Sequence, residues 1–359
     1  MNSRQRLLAA LKCEETDRLP WSPFLAYWWE FQSRDLQERG KFSFLKEVGA
    51  DALLRGYLSP FTIEQGGDVI IRNYSADGLQ WEVMDTPLGA LRTGNQYSCE
   101  GDTTFVVQHP VKKREDYRIL RYIIRHLSLL PNYEAVQEQI TMVGDDGLCM
   151  PLIAPFGKTG FQSLLEHYVG TEQLIYDLID YPEEIEETLE LMADVSRRAV
   201  EIGIDSPAEA FISWEDSSTT NVSPKLFKKY IAPEINEWGT MLHQAGKLMI
   251  HHACGHLKAL LPIMAQEAVD AIESISPPPT GNVEIWDAKE VLGKKMCVVG
   301  GVEPVQFETL DDNVFVEYVR ELIRRMPERG FILANSDSCP PGVKLERFAQ
   351  VTEIVREMG

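Results

Sequence analysis

Apolar positions along this chain switch repeatedly between a helical period and short buried runs. Leu7, Leu8 and Leu11 fall at helical spacing behind Ser3, a capping residue type, so a helix is predicted from Ser3 to about Cys13. Pro20 disfavours its continuation. The run Asp51-Ala52-Leu53-Leu54-Arg55 reads as a first strand. Residues 68–72 and 79–93 read as a β-excursion, with Trp81-Glu82-Val83-Met84-Asp85 alternating before a turn at Thr86-Pro87-Leu88-Gly89. A helix-rich stretch follows over 114–140, then a buried strand over 148–154. Helices are predicted over 161–180 and 182–203. The second of these carries Ile185, Leu189, Met192 and Val195 at three- and four-residue steps.

The remaining chain is more regular. Strands are predicted at 210–214, 247–251, 270–273, 296–300 and 331–334, and helical patterns over 223–245, 256–268, 312–328 and 344–357 separate most of them. Short buried strands alternating with helices imply a parallel sheet. Seven or eight such units imply a closed (β/α)8 TIM-type barrel sooner than an open doubly wound sheet. No G-x-G-x-x-G follows a strand, which counts against a dinucleotide-binding sheet. No linker or low-complexity tract interrupts the pattern, so residues 1–359 are expected to form one barrel domain with an N-terminal helical and aromatic extension. That extension carries Trp21, Phe24, Tyr27, Trp28, Trp29 and Phe31. These residues can plug the barrel or line a pocket for a flat ligand.

Composition narrows the partners. With 359 residues and a formal net charge of −20, the chain repels phosphate backbones and anionic membrane surfaces. No Lys/Arg cluster with interleaved aromatics offsets this, so no nucleic-acid partner is expected. No apolar run approaches the roughly 20 residues of a membrane span, and the N-terminus lacks a signal peptide's apolar core. The 6 cysteines show no disulfide-like spacing, which suits a reducing, cytoplasmic setting.

Chemistry gathers at the predicted strand ends, where such barrels keep it: Glu215 and Asp216, His252 and Cys254, Glu273, Glu303, then Asn335, Asp337 and Cys339. Residues two apart on a strand point to one side, so His252 and Cys254 are expected to converge as a nitrogen and a sulfur ligand for zinc. Cys339 can supply a third ligand from another strand end. Three protein ligands and an open fourth position form the catalytic pattern for zinc, whereas a closed structural site favours paired cysteines. Cys13, Cys99, Cys149 and Cys297 are isolated. Glu273 can be a fourth ligand that a substrate displaces, or a polar strand-end residue. Glu215 and Asp216 can form a second layer or clamp a substrate, with only one of the two facing the pocket. His251 is expected to point away from the metal, and His256 to open the next helix. Against all this, an H-x-C triplet arises readily by chance, and a buried cysteine often serves as a small hydrophobe.

Several segments together resemble the uroporphyrinogen decarboxylase superfamily: Arg4 to Leu11 with Asp17-Arg18-Leu19-Pro20-Trp21; Leu164-Leu165-Glu166 to Gly170 with Asp180-Tyr181-Pro182-Glu183; Ser223-Pro224 with Phe227 and Tyr230; and Gly300-Gly301-Val302-Glu303-Pro304. The resemblance implies a single (β/α)8 barrel. True decarboxylases of that group carry an Arg-Gln-Ala-Gly-Arg segment after the N-terminal Pro-Trp-like pair, whereas residues 22–29 here hold no arginine and the next is Arg34. The other branch comprises zinc- and corrinoid-dependent methyltransferases such as methylcobamide:coenzyme M methyltransferase, and His252, Cys254 and Cys339 look like its zinc ligands. That likeness implies Zn2+, methylcobalamin or another corrinoid carried by a small partner protein, and a small-molecule methyl donor or acceptor, either a thiol or a methoxyl compound. Uroporphyrinogen decarboxylation and a non-catalytic metal-binding barrel are the alternative expectations.

Overall fold

Thirteen strands run through residues 1–99 and 103–358, the part of the chain described by the computed structural model. The first is β1 (Ala52–Arg55). It is followed by β2 (Phe61–Gln65), β3 (Ile70–Ala76), β4 (Leu79–Thr86), β5 (Gly89–Ser98), β6 (Thr103–Gln108) and β7 (Leu127–Pro131). The strands that follow all pair in parallel: β8 (Gly147–Met150), β9 (Ala210–Glu215), β10 (Leu248–Ala253), β11 (Ala271–Ile275), β12 (Cys297–Val302) and β13 (Phe331–Asn335). The chain forms two compact units. Met1–Ser59, Glu134–Leu152 and Pro207–Gly359 make the first, and Pro60–Tyr133 with Ile153–Ser206 the second.

The first unit is the parallel α/β barrel. β9 to β13 form one five-stranded sheet in sequence order, and β1 pairs with β8. Apart from half-buried Trp214 on β9, their strands are buried from end to end, which explains why they read as continuous apolar runs, since helices cover the outer face of a parallel sheet. The ring is not closed by continuous ladders. Isolated bridges join Leu152 to Ile212 and Trp21 to Leu333, and Asp51 N donates to Trp21 O at 2.7 Å. Leu53, Ile212, Ile250, Ala271, Val299 and Ile332 fill the interior, each large side chain contributing about 1.5–3 kcal/mol by burial. The helix Ser3–Leu11 adds Leu7, Ala10 and Leu11 to that core. Its cap is Asn2, not Ser3: the Asn2 carboxamide accepts from Gln5 N at 2.8 Å, and Gln5 Oε1 accepts from Asn2 N at 3.1 Å.

The second unit carries the antiparallel sheet β3-β4-β5-β6 and the pair β2-β7. The β-excursion therefore runs further than its alternation suggests, and β7 interrupts the helix-rich stretch. The long helix Pro182–Asp205 packs on the helix Arg114–Arg125, where Arg121 Nη2 meets Glu184 Oε2 at 2.7 Å. The helix expected over 161–180 is broken by a π-turn at Leu164–Tyr168 and by Gly170 at φ +90°. No helix among the described residues is long and apolar enough to cross a membrane.

Candidate active site at the strand ends

The period-two pattern that fills the barrel core continues upward and changes chemistry. Above Leu53, Ile212, Ile250 and Ala271 stand Arg55, Trp214, His252 and Glu273. The ladder register sets His252 opposite both Trp214 and Glu273. One step higher come Asp216 and Cys254, just past the ends of β9 and β10.

Arg55 is the functional residue that reading the motifs missed. It closes an otherwise apolar strand, and the strand-end rule that found Glu273 could have found it. Its side chain is 1% exposed and its Nε is ion-paired with Glu273 Oε1. Nη2 donates to Ser22 O at 2.9 Å, and the guanidinium lies over the Phe24 ring, 5.4 Å from its centroid. Glu273 Oε2 in turn meets His252 Nδ1 at 3.1 Å. Burial pushes the Glu273 carboxyl up, but Arg55 first and then His252 outweigh it, so the group lies below the usual carboxylate range. The His252 ring packs against Trp214, with centroids 4.6 Å apart, and edge-on to Phe24 at 6.2 Å.

Cys254 Sγ donates to Asp216 Oδ1 at 3.0 Å. The turn that permits this uses Gly255 at φ +83°, where a Cβ would lie 2.7 Å from the Ser218 side chain. His256 continues that loop: its N donates to Ser218 Oγ at 3.0 Å and its carbonyl accepts from Thr219 N at 3.1 Å. The helix expected over 256–268 shrinks to Leu261–Met264, with the His256 carbonyl given to Thr219 N instead of to a helical partner. Asp337 belongs to the same neighbourhood. Burial raises its carboxyl above the usual range despite His252, and the nearby charges of Asp216 and Glu273 add to the rise.

The other sequence-nominated residues are placed differently. Glu215 is fully buried and shares the outer face of β9 with Ser213, away from Trp214. Its charge acts on His251, which also faces outward and pairs with Glu267 Oε2 at 2.7 Å. Glu303 caps the helix Pro304–Thr309, accepting from Gln306 N at 2.7 Å. Cys339 follows β13 in a loop tied to the aromatic extension. Its N donates to Phe24 O at 3.2 Å, and its carbonyl accepts from Trp28 N at 2.9 Å. The Cys339 thiol is sealed from solvent, and burial, with Glu308 nearby, pushes it well above the usual thiol range. Within the aromatic extension, Phe24 packs on Trp214 and His252 at the strand ends, while Trp28 and Trp29 pack on Phe44 and Trp28 on Phe348.

One imidazole and two thiols suit zinc in kind. In this structure Cys339 is sealed, Cys254 faces Asp216, and both Glu273 oxygens are engaged. Among the described residues no group of three or more His, Cys, Asp or Glu side chains is positioned to hold a metal ion.

The uroporphyrinogen decarboxylase (URO-D) family model matches residues 91–358. Among solved structures, a methyltransferase from Methanosarcina mazei aligns over 99% of this chain and 99% of its own, with a TM-score of 0.65 and 15% identity, a likeness of fold. A B12-independent methionine synthase from Shewanella sp. W3-18-1 aligns over 95% of this chain and 98% of its own, with a TM-score of 0.44 and 12% identity. No curated protein matches the chain. With the match spanning residues 91–358 of 359 and a parallel α/β barrel beneath it, the chain belongs to the uroporphyrinogen decarboxylase family.

Proposed function

We propose that this chain is a methyltransferase of that family, moving a methyl group between a corrinoid carried by a separate small protein and a thiol or methoxylated small molecule at the barrel mouth. The observation that supports this best is the chemistry of the mouth itself. An imidazole and a thiol stand two residues apart among aromatic rings and carboxylates, and the arginine beside them is already paired with Glu273. A porphyrinogen bearing several carboxylates needs cationic partners. Residues 22–29 bring Phe24 and Trp28 instead, and Arg34 is exposed on the helix Arg34–Arg39.

The side chains present suit a nucleophilic transfer. Phe24 and Trp214 pack around His252. Asp216 Oδ1 is placed to take a proton from Cys254 Sγ. Zinc is proposed with this site on donor chemistry alone, and Cys339 must first turn its thiol out of the core to join. None of the proton movements named here requires the ion.

The test is the metal content of protein purified without chelator, wild type beside Cys254→Ala, followed by methylcobalamin demethylation with small thiols. About one zinc per chain, lost in the variant, together with thiol-dependent loss of methylcobalamin, is the expected result. Protein that takes up no zinc on addition, and that releases carbon dioxide from a porphyrinogen, would overturn the reading in favour of decarboxylation.

A further inference from the structure

We infer that Glu273, clamped by Arg55, is a positioning residue that fixes His252 with its proton on Nδ1, leaving Nε2 as the ring atom that meets whatever binds in the mouth. The inference rests on the methyl-transfer reading only for the identity of that ligand.

Three observations carry it. Both oxygens of Glu273 already have partners, Oε1 with Arg55 Nε and Oε2 with His252 Nδ1 at 3.1 Å. An ionised carboxylate only accepts hydrogen bonds, so the ring nitrogen that faces it must carry hydrogen, and in a neutral imidazole the other nitrogen is then the acceptor. Arg55 in turn has no room to swing. Beyond Glu273 it donates to Ser22 O at 2.9 Å and to Pro23 O and Leu53 O at 3.4 Å, with its side chain 1% exposed. Three backbone carbonyls hold the cation, the cation holds the carboxylate, and the carboxylate holds the ring.

The neighbouring histidine supplies the contrast. His251 makes the same kind of pair with Glu267 on the opposite face of β10, yet its side chain is 0% exposed and its Nε2 is buried without a partner. His252 keeps 4% of its side chain exposed, and its Nε2 is not among the buried unpartnered atoms. One strand thus carries two imidazole–carboxylate pairs, the outer sealed into the barrel wall and the inner, on the face toward the mouth, slightly exposed. For Glu273 to become a ligand itself, it would have to abandon a buried guanidinium, and that leaves an uncompensated charge.

The experiment reads the tautomer directly. Protein labelled with 15N-histidine gives long-range proton–nitrogen correlations that separate Nδ1–H from Nε2–H rings, and the resonance missing from His252→Gln identifies His252. In wild type at pH 8, His252 is expected as the Nδ1–H form. The double variant Arg55→Met/Glu273→Met removes both charges together, so no lone ion is left buried, and it should exchange the protonated and unprotonated ring positions. Glu273→Gln keeps an amide oxygen that can accept, and should retain the Nδ1–H form. The His251 signal should stay unchanged in the double variant, which separates a lost clamp from a disordered barrel. An Nε2–H ring in wild type, or an Nδ1–H ring that persists in the double variant, overturns the inference. The expected tautomers with no zinc uptake and no methyl transfer would leave it standing while removing the methyltransferase reading.

Discussion

The thiol of Cys254 donates to Asp216 Oδ1 across 3.0 Å, linking the residues that immediately follow the β10 and β9 ends. A thiol is a weak nucleophile or ligand until its proton leaves. Asp216 is the acceptor in place to receive it.

Asp216→Asn keeps the size of the side chain and removes the base. Methyl transfer should fall roughly 10²-fold or more, the usual contribution of a positioned general base. Combining it with Cys254→Ala should cost little beyond Cys254→Ala alone, because residues that act as a unit are not additive. A kcat/KM cycle over the four proteins checks this. A wild-type rate in Asp216→Asn would remove Asp216 from the proton path.

Cysteine reactivity should divide the chain. Burial pushes Cys149 up to about 12 and raises Cys297 and Cys339 above the usual thiol range as well, with Glu308 adding to the rise at Cys339. A thiol with a raised pKa gains little thiolate between pH 7 and pH 9, so alkylation of these three should stay slow across that range. Cys99 is exposed and Cys13 and Cys254 partly so, with burial raising the Cys13 thiol above its usual range. Peptide mapping after brief iodoacetamide treatment should find Cys99 and Cys254 modified first. Early modification of Cys339 would show that its thiol reaches the mouth, which is the movement needed for it to join His252 and Cys254 around zinc.

Much of this was legible in the sequence. Buried apolar runs marked β9 to β13 within a few residues, and the rule that strand positions two apart share a side placed His252 and Cys254 on the inner face and His251 on the outer. The same parity separates Glu215 from Asp216. The rest depended on contacts between distant segments. Arg55 lies 218 residues from Glu273, and no local pattern announces that pair. The helical pattern over 256–268 was genuine as periodicity, but Thr219 N, on another loop, takes the His256 carbonyl that a helix beginning there would have used. Placement of Cys339 was equally invisible, because backbone hydrogen bonds tie its loop to the distant residues Phe24 and Trp28.

The opposite end of the barrel supplies a stability prediction. Asp51, fully buried just before β1, receives Arg6 Nη1 at 2.6 Å and Arg18 Nη1 at 2.8 Å, while Arg6 Nε reaches back to Asp17 Oδ1 at 2.7 Å. The network ties the first helix and the segment before Trp21 to the first strand. Asp51→Ala leaves two guanidinium groups short of a partner, and Arg6 is itself only 7% exposed. The expected loss is about 3–5 kcal/mol, as for other broken buried pairs, read from the urea midpoint at pH 7. Asp17 gives the pH signature. Its hydrogen bond to Arg6 holds the carboxyl well below the usual carboxylate range, with burial opposing. A carboxyl depressed in the folded state stabilises above its unfolded value of about 3.9 and loses that contribution as pH falls through the folded one. Wild type should therefore lose stability below about pH 4, more steeply than Asp17→Asn. The Asp17→Asn deficit should be largest at neutral pH and narrow toward pH 2. Because Asp17 is 40% exposed, that deficit should be smaller than the Asp51→Ala loss. Parallel urea curves for wild type and Asp17→Asn at every pH would mean that solvent already screens the Arg6 contact, leaving Asp51 as the anchor of this end of the barrel.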